Sequence, residues 1–407
     1  MMTKRIWKRI LTLITVITLV VNCGVIVSAK EGDLDTLVGK ETQKSAVSDL
    51  GVEDDSLNFN CKSLILMEAN SGAVLYKQNP DEALPPASVT KIMTLLLVME
   101  ALEAGTVRLD STVTVSANAA SMGGSQVFLK EGEQMLLEDL LKSVVIASAN
   151  DAAVALAEYI AGSVDAFVSK MNARAAALGM ANTRFENVTG LDDTAEAHLT
   201  SARDIALMSQ ALIRHRKILE YSSIWMDSIR DGAFGLTNTN RLVRFYPGCT
   251  GLKTGSTSKA GFCVSVTAER DGLSLICVVM GAESRDTRNA IATQALDWGF
   301  ANYALYRAPA AALEPITVTG GIKGSCGVTY GDFCCVLPKN EIGSVTVKYM
   351  PNEGISAPIT VGDEVGRVEF LSGERVIGSL PVTATESLPK IDFFTILARM
   401  LAGFLLI

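Results

Sequence analysis

Histidine is nearly absent from this 407-residue chain: His198 and His215 are the only two. A Ser-His-Asp hydrolase would need one of them as its base, and the Gly-x-Ser-x-Gly turn that presents many such serines occurs nowhere. His198 stands just before Thr200-Ser201, a helix-cap pair, and His215 lies in a basic helix end between Arg214 and Arg216. Both read as structural or solvated. With scattered cysteines they make no metal-ligand set, and no cofactor is implied. An excess of positive charge is missing too, since 36 Lys and Arg face 44 Asp and Glu for a net charge of −8. A chain this acidic is not a general nucleic-acid binder. The eight cysteines have no framework spacing; Cys263 and Cys277 fall in strand-like runs and read as core, while the pair Cys334-Cys335 has no explanation in the sequence. No internal repeat is visible.

What is present divides the chain clearly. Residues 1–29 read as an export signal, with Lys4, Arg5, Lys8 and Arg9, then an apolar run, then Val27-Ser28-Ala29 for cleavage. Losing those four cations takes the net charge from −8 to −12. Residues 30–59, acidic and poor in large apolar side chains, read as a flexible leader. From Cys61 the pattern predicts a hairpin over Ser63–Met67 and Ala73–Tyr76. Helices are predicted over 136–148, 151–161, 165–178 and 201–214, strands over 262–270 and 273–281, and a helix over 287–304. That order implies a sheet built from distant segments with helices packed on it, a domain spanning 60–308. Residues 309–388 are short Val, Ile and Thr runs broken by Gly and Pro, a small separate β domain. Residues 389–407 read as an apolar terminal helix.

The organising stretch is Pro85-Pro86-Ala87-Ser88-Val89-Thr90-Lys91 and the helix that follows it. Ile92, Met93, Leu95, Leu96, Leu97, Val98 and Met99 leave that helix almost no polar face, so it belongs at a domain centre. Ser88 and Lys91 share one face of its first turn, and a desolvated lysine can take a serine's proton. Ser-x-x-Lys alone is weak, because Ser256–Lys259 and Ser387–Lys390 repeat it. Two further motifs give it weight. Ser148-Ala149-Asn150 falls between two helices, where a hydroxyl and an amide can project into a cleft; Ser56–Asn58 and Ser116–Asn118 also match this pattern. Lys253-Thr254-Gly255 occurs once, just ahead of the strands from Phe262, and offers a cation, a hydroxyl and close approach to strand backbone. Together, in this order, they form the set of penicillin-binding proteins and class A β-lactamases.

Over roughly residues 60–385 the sequence resembles the low-molecular-mass penicillin-binding proteins that act as serine-type D-alanyl-D-alanine carboxypeptidases. The likeness extends to residues 123–129 (GGSQVFL), 146–151 (IASAND), Thr189-Gly190-Leu191 and Gly251–Gly255. It implies an α/β (α+β) catalytic domain of the transpeptidase type with a helix cluster, plus the C-terminal all-β domain. Ser88 is implied as the acylated nucleophile, Lys91 as its base, and Ser148, Asn150 and Lys253 as the remaining catalytic groups. Thr254, Gly255, Ser256 and Arg288 are implied to bind substrate, the backbone N–H groups of Ser88 and Ser256 to form an oxyanion hole, and Arg285 competes with Arg288 for the substrate carboxylate. Ala149, Val188 and Cys249-Thr250 depart from the family's usual glycine, proline and acidic residue.

The implied partners are the D-Ala-D-Ala terminus of peptidoglycan stem peptides and β-lactams, met outside the cell. A β-lactamase is the first alternative, but Glu196-Ala-His-Leu199 runs into Thr200 and lacks the class A Glu-x-x-Leu-Asn element. A non-catalytic wall-binding or sensor protein is the second, and intact motifs argue against it. On a helical projection Asp392, Thr395 and Arg399 form a narrow polar stripe opposite Phe393, Phe394, Ile396, Leu397, Met400, Leu401 and Phe404. That pattern predicts a helix lying on the outer face of the cytoplasmic membrane rather than crossing it.

Overall fold

A computed structural model describes residues 57–191 and 195–405, with side chains to residue 402. Residues 1–29, read from the sequence as an export signal, and residues 30–56 of the expected leader lie outside the described residues. The chain enters through the hairpin β1 (Ser63–Glu68) and β2 (Val74–Gln78), and a 3-10 turn, Ala87–Thr90, leads into α1 (Lys91–Glu103). β3 (Thr112–Thr114) and β4 (Gln134–Leu136) pair around the short α2 (Ala117–Ala120). A helix cluster follows: α3 (Leu137–Ala147), α4 (Asn150–Ala161), α5 (Val164–Ala177), α6 (Ala202–Arg214) and α7 (Lys217–Ser222). The hairpin β5 (Met226–Ile229) and β6 (Phe234–Thr237) and one turn of helix, α8 (Leu242–Phe245), precede three long strands. These are β7 (Cys249–Thr257), β8 (Gly261–Arg270) and β9 (Leu273–Ala282), after which α9 (Arg285–Asn302) closes the first half.

One antiparallel sheet, ordered β2-β1-β9-β8-β7, organises all of this. Strand alternation assigns its two faces. Ile276, Val278 and Met280 of β9 join the core around α1, together with Ile92, Met93 and Leu96. The intervening Leu275, Cys277 and Val279 join a second core with Ile291, Ala295 and Leu296 of α9. A sheet covered on both faces needs continuous apolar strands, which is why β1 reads Ser-Leu-Ile-Leu-Met-Glu and is buried throughout. The Lys-Thr-Gly motif precedes β8 and β9, as the sequence places it, but is itself part of a strand the sequence did not reveal. It lies inside β7, at the sheet edge, where an irregular polar run masked the strand.

The C-terminal region is β-rich, as expected, but pairing begins earlier than the sequence indicated. α9 stops at Asn302, and Tyr303, packed edge-on against Trp298 with ring centroids 5.6 Å apart, starts β10 (Tyr303–Ala308). Then come β11 (Ala311–Thr317), β12 (Ser325–Tyr330), β13 (Phe333–Pro338), β14 (Val345–Pro351), β15 (Glu364–Ser372) and β16 (Arg375–Ala384). β10 pairs with β13, and the other five form a sheet ordered β11-β12-β16-β15-β14. Phe333 stacks on Phe370 at 3.9 Å in its core. Residues 389–391 are stitched to this region by Ile322 N–H to Pro389 O (3.1 Å) and Ile391 N–H to Gly320 O (2.8 Å). α10 (Phe393–Leu405) follows, with Phe393 and Phe394 more than two-thirds exposed. All seven cysteines among the described residues are free thiols.

Candidate active site

Three segments meet at the N-terminal end of α1. Ser88 sits in the 3-10 turn, not in the α-helix proper, and Ala87 before it is held at φ +49°, a left-handed conformation that costs energy for a residue with a Cβ. Two glycines permit this arrangement. At Gly190 (φ +81°) a Cβ would lie 1.8 Å from Ala87 O. At Gly255 it would lie 2.8 Å from Ser88 N and 2.9 Å from Pro86 O. The sequence assigned Gly255 to substrate approach; its more immediate use is to let β7 press backbone-to-backbone on the turn that carries Ser88. From below, Glu186 N–H donates to His198 Nδ1 (3.0 Å), which leaves the proton on Nε2 facing Thr90 Oγ1 (2.8 Å), and Thr90 donates to Ala87 O (2.8 Å). His198 is a buried strut, as its position beside a helix cap suggested.

Lys91 is fully buried, with Nζ 2.9 Å from Ser88 Oγ and 2.8 Å from Thr189 O. Burial, and then the charge of Lys253, push its pKa well below the ordinary lysine value. Ser148 closes α3 at φ +62°, and Lys253 Nζ donates to its Oγ at 2.8 Å and to Thr254 O at 3.1 Å. Lys253 is 1% exposed, and burial followed by the nearby Arg288 lowers it to about 7. Its ammonium is turned to Ser148 rather than to open space. Asn150 Nδ2 donates to Gly123 O (2.7 Å) and its N–H to Ser125 O (2.7 Å), while Oδ1 is buried without a partner among the described residues. Asp151 accepts from the N–H groups of Val127 and Leu129, which ties residues 123–129 to the start of α4.

Ser88, Ser125 and Ser148 open onto a cavity of about 560 Å³, with Thr254, Gly255 and Ser256 along β7. Arg285 and Arg288 also line it, and residues 225–245 contribute Trp225, Thr239, Arg241 and Phe245. Arg288 is the buried one of the arginine pair. It donates to Asn289 Oδ1 (2.9 Å) and Cys263 O (3.4 Å), and burial and then Arg285 lower it to about 10. All nine residues singled out in the sequence therefore converge on one locus, with Lys91, Asn150 and Lys253 forming its buried backing. Sequence reasoning passed over the carbonyl of Thr189, the Thr254–Thr239 hydroxyl contact (2.8 Å) and Arg241. Thr189 lay within a quoted motif; Thr239 and Arg241 lay in none.

The arrangement can activate a serine beside two buried amines and receive an anion next to it. Comparison with known proteins gives the same chemistry. A family profile described as D-alanyl-D-alanine carboxypeptidase matches residues 50–284, and one described as the C-terminal domain of penicillin-binding protein 5 matches 327–390. The D-alanyl-D-alanine carboxypeptidase DacF of Bacillus subtilis (strain 168) is 40% identical over 357 residues, 86% of this chain and 91% of that protein. The crystal structure of penicillin-binding protein 5 from Haemophilus influenzae superposes with a TM-score of 0.72 at 30% identity, covering 82% of this chain and 99% of that one. Penicillin-binding protein D2 of Listeria monocytogenes, solved in its ampicillin-bound form, is 31% identical with a TM-score of 0.56, covering 60% of this chain and 99% of its own.

Proposed function

The chain belongs to the D-alanyl-D-alanine carboxypeptidase family of serine peptidases, and from that premise we propose that it removes terminal D-alanine from peptidoglycan stem peptides through an acyl-enzyme on Ser88. The observation that carries this assignment is Lys91: an amine with no solvent exposure, its proton affinity depressed, 2.9 Å from the Ser88 hydroxyl. Neutral Lys91 takes the Ser88 proton as Oγ attacks the penultimate carbonyl carbon. The N–H groups of Ser88 and Ser256 receive the oxyanion. Ser148, held by Lys253, relays a proton to the departing D-alanine nitrogen, and water then cleaves the ester so that Ser88 regains its hydrogen. Thr254 and Arg288 bind the free carboxylate, which distinguishes a chain end from a chain middle. A β-lactam acylates the same oxygen.

The protein acts outside the cell, at the outer face of the cytoplasmic membrane. α10 supports this placement. Phe393, Phe394, Met400 and Leu401 are all more than half exposed, while Arg399 Nη2 donates to Ile322 O, so the apolar side does not pack on the β-rich region. Among the described residues no single helix is long and apolar enough to span a membrane; the exposed apolar side of α10 beside the polar stripe Asp392, Thr395 and Arg399 supports an interfacial attachment. Turnover of diacetyl-L-lysyl-D-Ala-D-Ala tests the activity. D-Alanine release is expected, with a much lower rate on the C-terminal amide; equal rates on acid and amide would mean an endopeptidase.

A further inference from the structure

The cavity holds more positive charge than one terminal carboxylate requires. Arg288 and Thr254 meet that carboxylate, with Arg285 beside them, yet Arg241 lines the same cavity and none of its described lining residues is acidic. Burial holds Arg288 down to about 10, and the charges of Arg285 and, to a smaller extent, Arg241 act in the same direction. The guanidinium of Arg241 has no ion-pair or hydrogen-bond partner among the described residues.

The position of Arg241 is built in. Asn240, 1% exposed, donates through Nδ2 to Gly251 O (2.9 Å) and accepts from Leu242 N–H (3.1 Å), and Thr239 N–H donates to Ile146 O (3.1 Å). These bonds fasten the segment beside β7. Thr254 Oγ1 donates to Thr239 Oγ1 at 2.8 Å, so the hydroxyl that meets the substrate carboxylate faces this same wall. The carboxylate and the side chain of the leaving residue branch from one Cα, so a side chain longer than a methyl shares this cavity with Arg241. Trp225 and Phe245 line it as well, with Arg244 stacked 5.5 Å from each ring centroid, and they offer apolar surface to methylenes.

We propose that Arg241 is the specificity-determining cation of a leaving-residue subsite, which takes a C-terminal D-residue longer than alanine with a carboxylate in its side chain. The inference rests on the carboxypeptidase reading. The chemistry is unchanged: the amide between D-Ala and the leaving residue breaks, the acyl group passes to Ser88 Oγ and then to water, and the leaving nitrogen takes a proton. Three matched peptides test it, diacetyl-L-lysyl-D-Ala followed by D-Ala, D-Gln or D-Glu. The Glu peptide should exceed its neutral isostere in kcat/KM by about two- to fivefold, the yield of an exposed charge pair. Arg241→Gln should bring that ratio to near one, and Arg241→Lys should keep it above one. A wild-type ratio of one or less, with D-Ala-D-Ala still cleaved, overturns the subsite alone, as does an Arg241→Gln enzyme that keeps the preference. Failure to cleave D-Ala-D-Ala would sink the carboxypeptidase reading and the subsite with it.

Discussion

Lys253 carries a stability cost that the pH dependence of unfolding will expose. Its pKa falls from 10.5 to about 7 on burial, so the unfolded chain binds this proton more tightly than the folded one. The cost is complete below pH 7 and is relieved as pH rises from about 7 toward 10.5. By linkage it amounts to about 4 kcal/mol at pH 7 and about 2 kcal/mol at pH 9. Lys253→Met keeps an unbranched stem as far as the Cε position and removes the titration. It also strands the Ser148 hydroxyl and the Thr254 carbonyl, which takes back about 1–3 kcal/mol, but that loss does not depend on pH. Urea unfolding of both proteins at pH 7 and pH 9 should therefore find the variant more stable at pH 7, with an advantage about 2 kcal/mol smaller at pH 9. Relief of Lys91, whose pKa Lys253 also depresses, acts in the same direction. The thiols that titrate over this range are common to both proteins and cancel in the difference. The variant should be catalytically inactive, a group kept for function at a cost in stability. A stability difference that does not change between pH 7 and pH 9 would refute the assignment of Lys253 as a buried, proton-shedding amine.

Gly190→Ala should destabilise the fold by about 3 kcal/mol or more and abolish acylation, since no rearrangement short of moving the nucleophile turn admits a Cβ at 1.8 Å from Ala87 O; thermal unfolding would measure it. Truncation after Asp392 should leave a soluble enzyme with unchanged peptide turnover that no longer sediments with anionic phospholipid vesicles; retained sedimentation would place the membrane contact elsewhere. The cut must fall there and not after Leu388, because residues 389–391 are bonded into the β-rich region.

Much of this site is legible in the sequence because its chemistry is local. Ser88 and Lys91 are one turn apart, and the apolar run behind them can only be a buried helix, so a buried lysine follows. Helices α3 to α6 and strands β8 and β9 carry strong periodicity and fall where their patterns place them. β7 escaped because its polar run Lys-Thr-Gly-Ser-Thr follows no alternation; its strand character comes from pairing with β8. The end of α9 was missed by two residues because Tyr303 is held by Trp298 and by its pairing to Pro338, both set by tertiary context. Thr239 and Arg241 reach the cavity only because Asn238 and Asn240 fix a coil segment beside β7. No spacing rule marks such a segment.

Covalent labelling locates the nucleophile most directly. The intact protein, incubated with a β-lactam and digested, should carry one drug mass on the peptide containing Ser88, and Ser88→Ala should carry none. Labelling that persists in Ser88→Ala, or that maps to the peptide containing Ser148, would contradict the central claim that the hydroxyl beside Lys91 is the acylated group.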